Sequence, residues 1–137
     1  MRQILLLSFF SLSLLFAGCG SVSNTVADEN GRPEGSITDD KDYYRSLADY
    51  LRQVPGVSVR GSGDNAYVTI RGISSFSSGN SPLFVVDGQA VGNSYSQANR
   101  LLDPKYIDYV RVLKGPDAAI YGVRGANGVI EIATKKS

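Results

Sequence analysis

The sequence predicts a small α+β domain over residues 41–137: one mixed β-sheet carrying short helices. Three observations point there. Short apolar runs with alternating or two-sided hydrophobicity recur at 66–72, 82–86 and 129–134. One helical stripe, Tyr44, Leu47, Ala48 and Leu51, falls at i, i+3, i+4 and i+7. Gly, Pro, Asn and Asp cluster between these segments, which keeps every element short. Such a pattern suits strands and helices segregated around one small core.

Taken in order, the helix comes first. Asp39, Asp40 or Asp42 can cap its free N–H groups, and Pro55-Gly56 ends it. A short strand at Val57–Val59 and a turn at Gly61–Asn65 follow. Next comes AYVTIRG, with Val68 and Ile70 on one face and Tyr67, Thr69 and Arg71 on the other. Residues 74–81 read as a polar loop. Pro82 then introduces PLFVVDG, apolar on both faces and therefore expected at the centre of the sheet. Asp87-Gly88 is a tight-turn signal leading to Gln89–Val91. Residues 92–100 carry too little apolar periodicity to assign and are expected to form a polar loop. Asp103-Pro104 opens a brief helical turn. YVRVLKG forms a strand, Pro116–Tyr121 a single turn closed by Gly122, and VIEIAT the last strand.

Residues 1–18 have a different purpose. Met1-Arg2-Gln3 precedes an apolar run of about a dozen residues, the pattern of a secretory leader, too short to span a bilayer comfortably. Ala17 and Gly18 then stand before Cys19, the only cysteine. This junction resembles a bacterial lipoprotein lipobox. The resemblance implies lipidation at Cys19 and, with Gly20 following, an outer-membrane destination. The alternative is a plain leader followed by an unmodified thiol. Residues 19–40 are polar and small and are expected to form a flexible tether between lipid and domain.

Composition narrows the function. The chain of 137 residues has a formal charge of +1 and no histidine. A near-neutral balance argues against nucleic acid, and the lack of histidine removes the commonest acid/base group and metal ligand. No carboxylate pair or serine with a base has catalytic spacing, so no enzyme activity, cofactor or metal is expected. The glycine-rich GVRGANG lacks the spacing and the Gly-Lys-Ser/Thr of a phosphate loop. Its glycines, with Gly72, Asp87, Gly88, Gly115, Gly122, Gly125 and Gly128, are read as structural turn positions.

Three stretches in order, LRQVPGVSVRGSGDNAYVTIRGISS, SPLFVVDGQAV and LLDPKYIDYVRVLKGPDAAIYGVRGANGVIEIATKK, resemble the plug domain of TonB-dependent outer-membrane receptors. The flavour is that of the Bacteroidetes glycan and peptide importers. The resemblance covers about residues 43–136. It implies a plug-like fold, which in the family fills a barrel of about 22 strands. It also implies that Arg71 and Arg124 correspond to plug charges that meet carboxylates on a barrel wall. Arg111 and Tyr95 join them as candidate partner-facing residues, with Tyr95 expected to be the most exposed tyrosine. For Arg71 the alternative is a solvated edge charge or an in-domain pair with Asp87 or Glu131.

The 137 residues hold no series of alternating segments such as a transmembrane barrel requires. The expectation is therefore a non-catalytic, outer-membrane-tethered module, facing the periplasm, that binds a protein partner or ligand, accessory to TonB-dependent uptake. An outer-membrane transport protein is the expected partner. The alternative is a barrel-less receptor fragment with no transport role.

Overall fold

The computed structural model describes residues 27–38, 44–72 and 79–136. The leader, Cys19, the cap candidates Asp39, Asp40 and Asp42, and most of the 74–81 loop lie outside the described residues. The class is the expected one, α+β with a mixed sheet.

Helix α1 spans Leu47–Gln53 and buries Leu47, Ala48, Tyr50 and Leu51. Its cap is Ser46, inside the stretch read as helical: the hydroxyl accepts from the Asp49 N–H at 3.3 Å and donates to the Asp49 carboxylate at 3.1 Å. A hydroxyl three residues ahead of an acid satisfies a first-turn amide locally, an arrangement typically worth about 1 kcal/mol. Strands β1 (Val57–Arg60) and β2 (Tyr67–Ile70) then form an antiparallel ribbon, with Val57 opposite Ile70.

The main sheet has four strands: β3 (Leu83–Val86), β4 (Gln89–Gly92), β5 (Ile107–Leu113) and β6 (Val129–Thr134), in the order β4-β3-β6-β5. β3 and β6 run parallel; the other pairings are antiparallel. β3 is interior and its Leu83, Phe84 and Val85 are fully buried, as a run apolar on both faces requires. Phe84, Val110, Ile130 and Ile132 face one layer, where they meet α1, α2 and the β1–β2 ribbon. Leu83, Val85, Leu113 and Val129 face the other, covered by Ala118 and Tyr121. Among the described residues no charged side chain is buried.

Two expectations are corrected. Residues 92–100 are not a loop: α2 covers Tyr95–Leu101 and buries Tyr95 and Ala98, followed by the buried Leu102. The spacing 95, 98, 102 is a helical stripe, obscured because its members are one tyrosine, one alanine and a leucine beyond the helix end. The tether assignment also fails for its described part, residues 27–38. Ile37 pairs with Val110 through two backbone hydrogen bonds of 2.8 and 2.9 Å. Arg32 meets Asp108 at 2.6 Å, and the Tyr50 hydroxyl donates to the Ile37 carbonyl at 3.3 Å. One apolar residue and one cation suffice to lay this polar segment along the open edge of β5.

Candidate functional site

The site lies at one end of the main sheet, where β3 and β6 begin and β5 ends. The register places Leu83 and Leu113 on either side of Val129 there. Between β5 and β6 the chain leaves and returns through Gly115–Gly125, a run of 3-10 turns broken at Gly122. Gly122 has φ 58° and ψ −145°, a conformation that is essentially restricted to glycine. Gly125 answers a different need: a Cβ there would stand 2.6 Å from the Ala118 carbonyl oxygen and 3.1 Å from the Tyr121 Cβ. Gly72, Gly88, Gly115 and Gly128 also have positive φ.

This tight return leaves side chains on its outer surface. Ile120 is 79% exposed and Val123 93% exposed, while Ala118 turns inward. Neighbouring polar residues pin the same end. The Asn127 amide donates to the Gly79 and Ser81 carbonyls at 2.8 and 3.3 Å, and that of Asn93 to the Ser81 and Arg124 carbonyls at 3.4 and 3.5 Å.

The arginines separate into two kinds. Arg71 and Arg124 are exposed, and neither guanidinium has an ion-pair partner among the described residues. Arg71 closes β2: its N–H donates to the Gly56 carbonyl at 2.7 Å, and its carbonyl accepts from Lys114 Nζ at 3.2 Å, which brings it beside the end of β5. The in-domain partners considered for it are engaged elsewhere. The Asp87 carboxylate clasps Thr134 at 2.8 and 2.9 Å at the opposite end of the sheet, and Asp87 itself turns the chain with φ 47°. Glu131 pairs with Arg111.

Arg111, also expected to face a partner, has a carboxylate within the domain. It lies opposite Glu131 in the β5–β6 register and meets its carboxylate at 2.6 Å, half-buried on both sides. A cross-strand pair of opposite charge stabilises a sheet locally, and this arginine is spent on that contact.

Tyr95 is corrected as well: it is 5% exposed, packed edge-on to Phe84. Its hydroxyl accepts from the Ala48 N–H and donates to Asn99 Oδ1, each at 3.0 Å, while Asn99 Oδ1 also accepts from the Leu47 N–H at 3.3 Å. α2 thus caps α1 with side chains. Burial raises the Tyr95 pKa above its ordinary 10.0, only partly offset by the bond from Ala48. The neutral phenol therefore contributes stability that is present below pH 10 and is lost as pH rises through the folded-state pKa. Tyr95→Phe leaves the Ala48 amide without its partner and is expected to cost about 1–3 kcal/mol in urea unfolding.

Among the described residues no group of three or more His, Cys, Asp or Glu is placed to hold a metal ion, and no helix is long and apolar enough to cross a membrane. Glycine turns, the exposed Ile120 and Val123, and Arg71 and Arg124, which lack an ion-pair partner among the described residues, thus gather at one sheet end. The chain belongs to the TonB-dependent receptor plug domain family, which matches residues 36–129, more than half of the chain. Its relatives include receptors of Bacteroidetes.

A TonB-dependent receptor of Formosa agariphila is 44% identical over 88 residues, covering 61% of this chain and 8% of that receptor. The TonB-dependent receptor SusC of Bacteroides thetaiotaomicron is 44% identical over 93 residues, covering 61% of this chain and 9% of SusC. The RagAB peptide importer in its open-open state superposes with a TM-score of 0.56 at 32% identity, covering 74% of this chain and 12% of the importer chain. This chain therefore spans only a small fraction of the length of the proteins it matches.

Proposed function

We propose that this chain is the plug module of an outer-membrane, TonB-dependent uptake system, and that its glycine-rich end docks against the wall of a transport barrel. The observation that carries this is the exposure of Ile120 and Val123 beside Arg124 on a segment whose path requires glycine at 122 and 125. Fully burying one such aliphatic side chain is worth about 1.5–3 kcal/mol. An arginine presents a planar fork that matches a carboxylate on an opposing surface. Arg71, at the same sheet end, supplies a second. Loops of the barrel partner would contribute the ligand contacts, and no substrate class is assigned.

In the same reading Cys19 carries lipid that holds the module at the outer membrane, facing the periplasm. What supports this is the leader and the small residues before Cys19. The intact mass of the mature protein from its own cells is expected to show acyl modification there; an unmodified thiol would contradict the anchor.

Affinity purification from native outer membranes tests the docking. Recovery of a barrel protein with the wild-type chain is expected. Arg71→Glu and Ile120→Asp are each expected to reduce it by about tenfold, equivalent to ~1.4 kcal/mol. Absence of any barrel protein from the wild-type sample would leave a fragment without a transport role.

A further inference from the structure

A second surface lies away from the glycine-rich end. The start of α1 and the connection from α2 to β5 enclose an open recess of about 670 Å³. Arg45, Arg100 and Lys105 line it, all three exposed and none with an ion-pair partner among the described residues. Asp103 is the one carboxylate among the lining residues, and it is occupied: Oδ1 accepts from the Lys105 N–H at 3.1 Å, capping the turn that follows. The Asp103 carboxylate offsets only part of the charge of the three cations, so the lining of the recess is net positive. Its apolar component is Leu101, 65% exposed and also lining the recess, with Tyr106, 64% exposed, next to Lys105 in the chain. α2 directs Tyr95 and Ala98 into the core, which leaves Leu101 outside.

We propose that this recess docks an extended acidic segment of a partner protein, its carboxylates on Arg45, Arg100 and Lys105 and an apolar side chain against Leu101. Charge complementarity selects the sign of the partner and speeds its encounter; the exposed leucine and tyrosine add apolar contact at the centre and rim. The exposed Leu101 and Tyr106 beside the cations favour a peptide that carries apolar side chains among its carboxylates over a plain anionic headgroup surface. The residues of this recess are distinct from those of the glycine-rich end.

Fluorescence anisotropy with the full chain tests it, using a labelled peptide of repeated Glu-Ser-Leu-Asp, the same peptide with Lys at the acidic positions, and phosphatidylglycerol vesicles. The acidic peptide is expected to bind, more weakly as salt rises, and the lysine peptide not to bind. Arg100→Glu and Lys105→Glu should each weaken binding by at least about fivefold, whereas Arg60→Glu, matched in charge and exposed at the end of β1, should change it less than about twofold. Unchanged urea midpoints would show that the variants remain folded. The proposal is overturned if the acidic peptide does not bind, if Arg60→Glu weakens it as much as Arg100→Glu, or if the vesicles bind and the peptide does not.

Discussion

Phe84→Ala is expected to destabilise the domain by about 3–5 kcal/mol, measured as a fall in the urea midpoint with little change in slope. Phe84 is fully buried on the central strand β3, hydrogen-bonded on one side to β4 and on the other to β6. Its ring meets Tyr95 with centroids 6.4 Å apart at 68°, so the cavity left by truncation would open between the sheet and α2. The neighbours have little freedom to fill it. Tyr95 is fixed by its bonds to Ala48 and Asn99, and Ile130 lies opposite Phe84 in the parallel register. A domain of this size has a total stability of about 5–15 kcal/mol, so the loss is a large share of the whole. A change below about 1 kcal/mol would mean that the core does not close on this ring as described.

Gly125→Val is expected to be of comparable severity for the opposite reason, overpacking. The first carbon added at residue 125 already stands 2.6 Å from the Ala118 carbonyl oxygen, and 3.3 Å from Val129 Cγ2. The obstacle is backbone and cannot rotate away, so the Gly115–Gly125 segment must shift as a body. Inserting carbon into a packed site costs about 1–3 kcal/mol, and a backbone clash belongs at the upper end. Because Ile120 and Val123 ride on this segment, the same substitution should also abolish recovery of a barrel partner. Gly115→Ala separates the two effects: it meets open space and carries only the strain of φ 54°.

The parts of the fold that were legible from sequence are those where local chemistry and tertiary packing agree. PLFVVDG has one consistent reading, because a run apolar on both faces needs cover on both faces and Asp87-Gly88 turns it back. β6 alternates cleanly except at Val129, which is buried like Ile130 because it sits between Leu83 and Leu113. α2 was illegible because its buried face is small and its tyrosine carries a polar tip, so the run has the composition of a loop. The same ambiguity misplaced Tyr95: in a polar stretch its hydroxyl suggests solvent, and only the fold shows that it reaches the free amide of Ala48. The docking of residues 27–38 depends on Ile37 finding the open edge of β5, a long-range pairing that local composition does not encode.

The candidate site divides along the same line. Turn positions are visible because glycine has a backbone reason, and Gly125 stands out only once Ala118 folds over it. The arginines look alike in sequence. Register alone assigns Arg111 to Glu131 and leaves Arg71 and Arg124 without such a partner among the described residues. Ile120 and Val123 were overlooked because they sit within a glycine-rich motif that reads as turn chemistry; the signal available was their apolar character on a segment too short to bury both faces.

The account depends most on the Ile120–Arg124 surface being covered by a barrel wall in the cell. Site-specific photo-crosslinking from position 123 in cells, followed by identification of the linked peptide, measures this directly. Peptides from the strands of an outer-membrane barrel are the predicted partners, with a crosslinker at Arg60 as the comparison position. A residue at position 123 that links to no barrel peptide, or no more than the one at position 60 does, would contradict it.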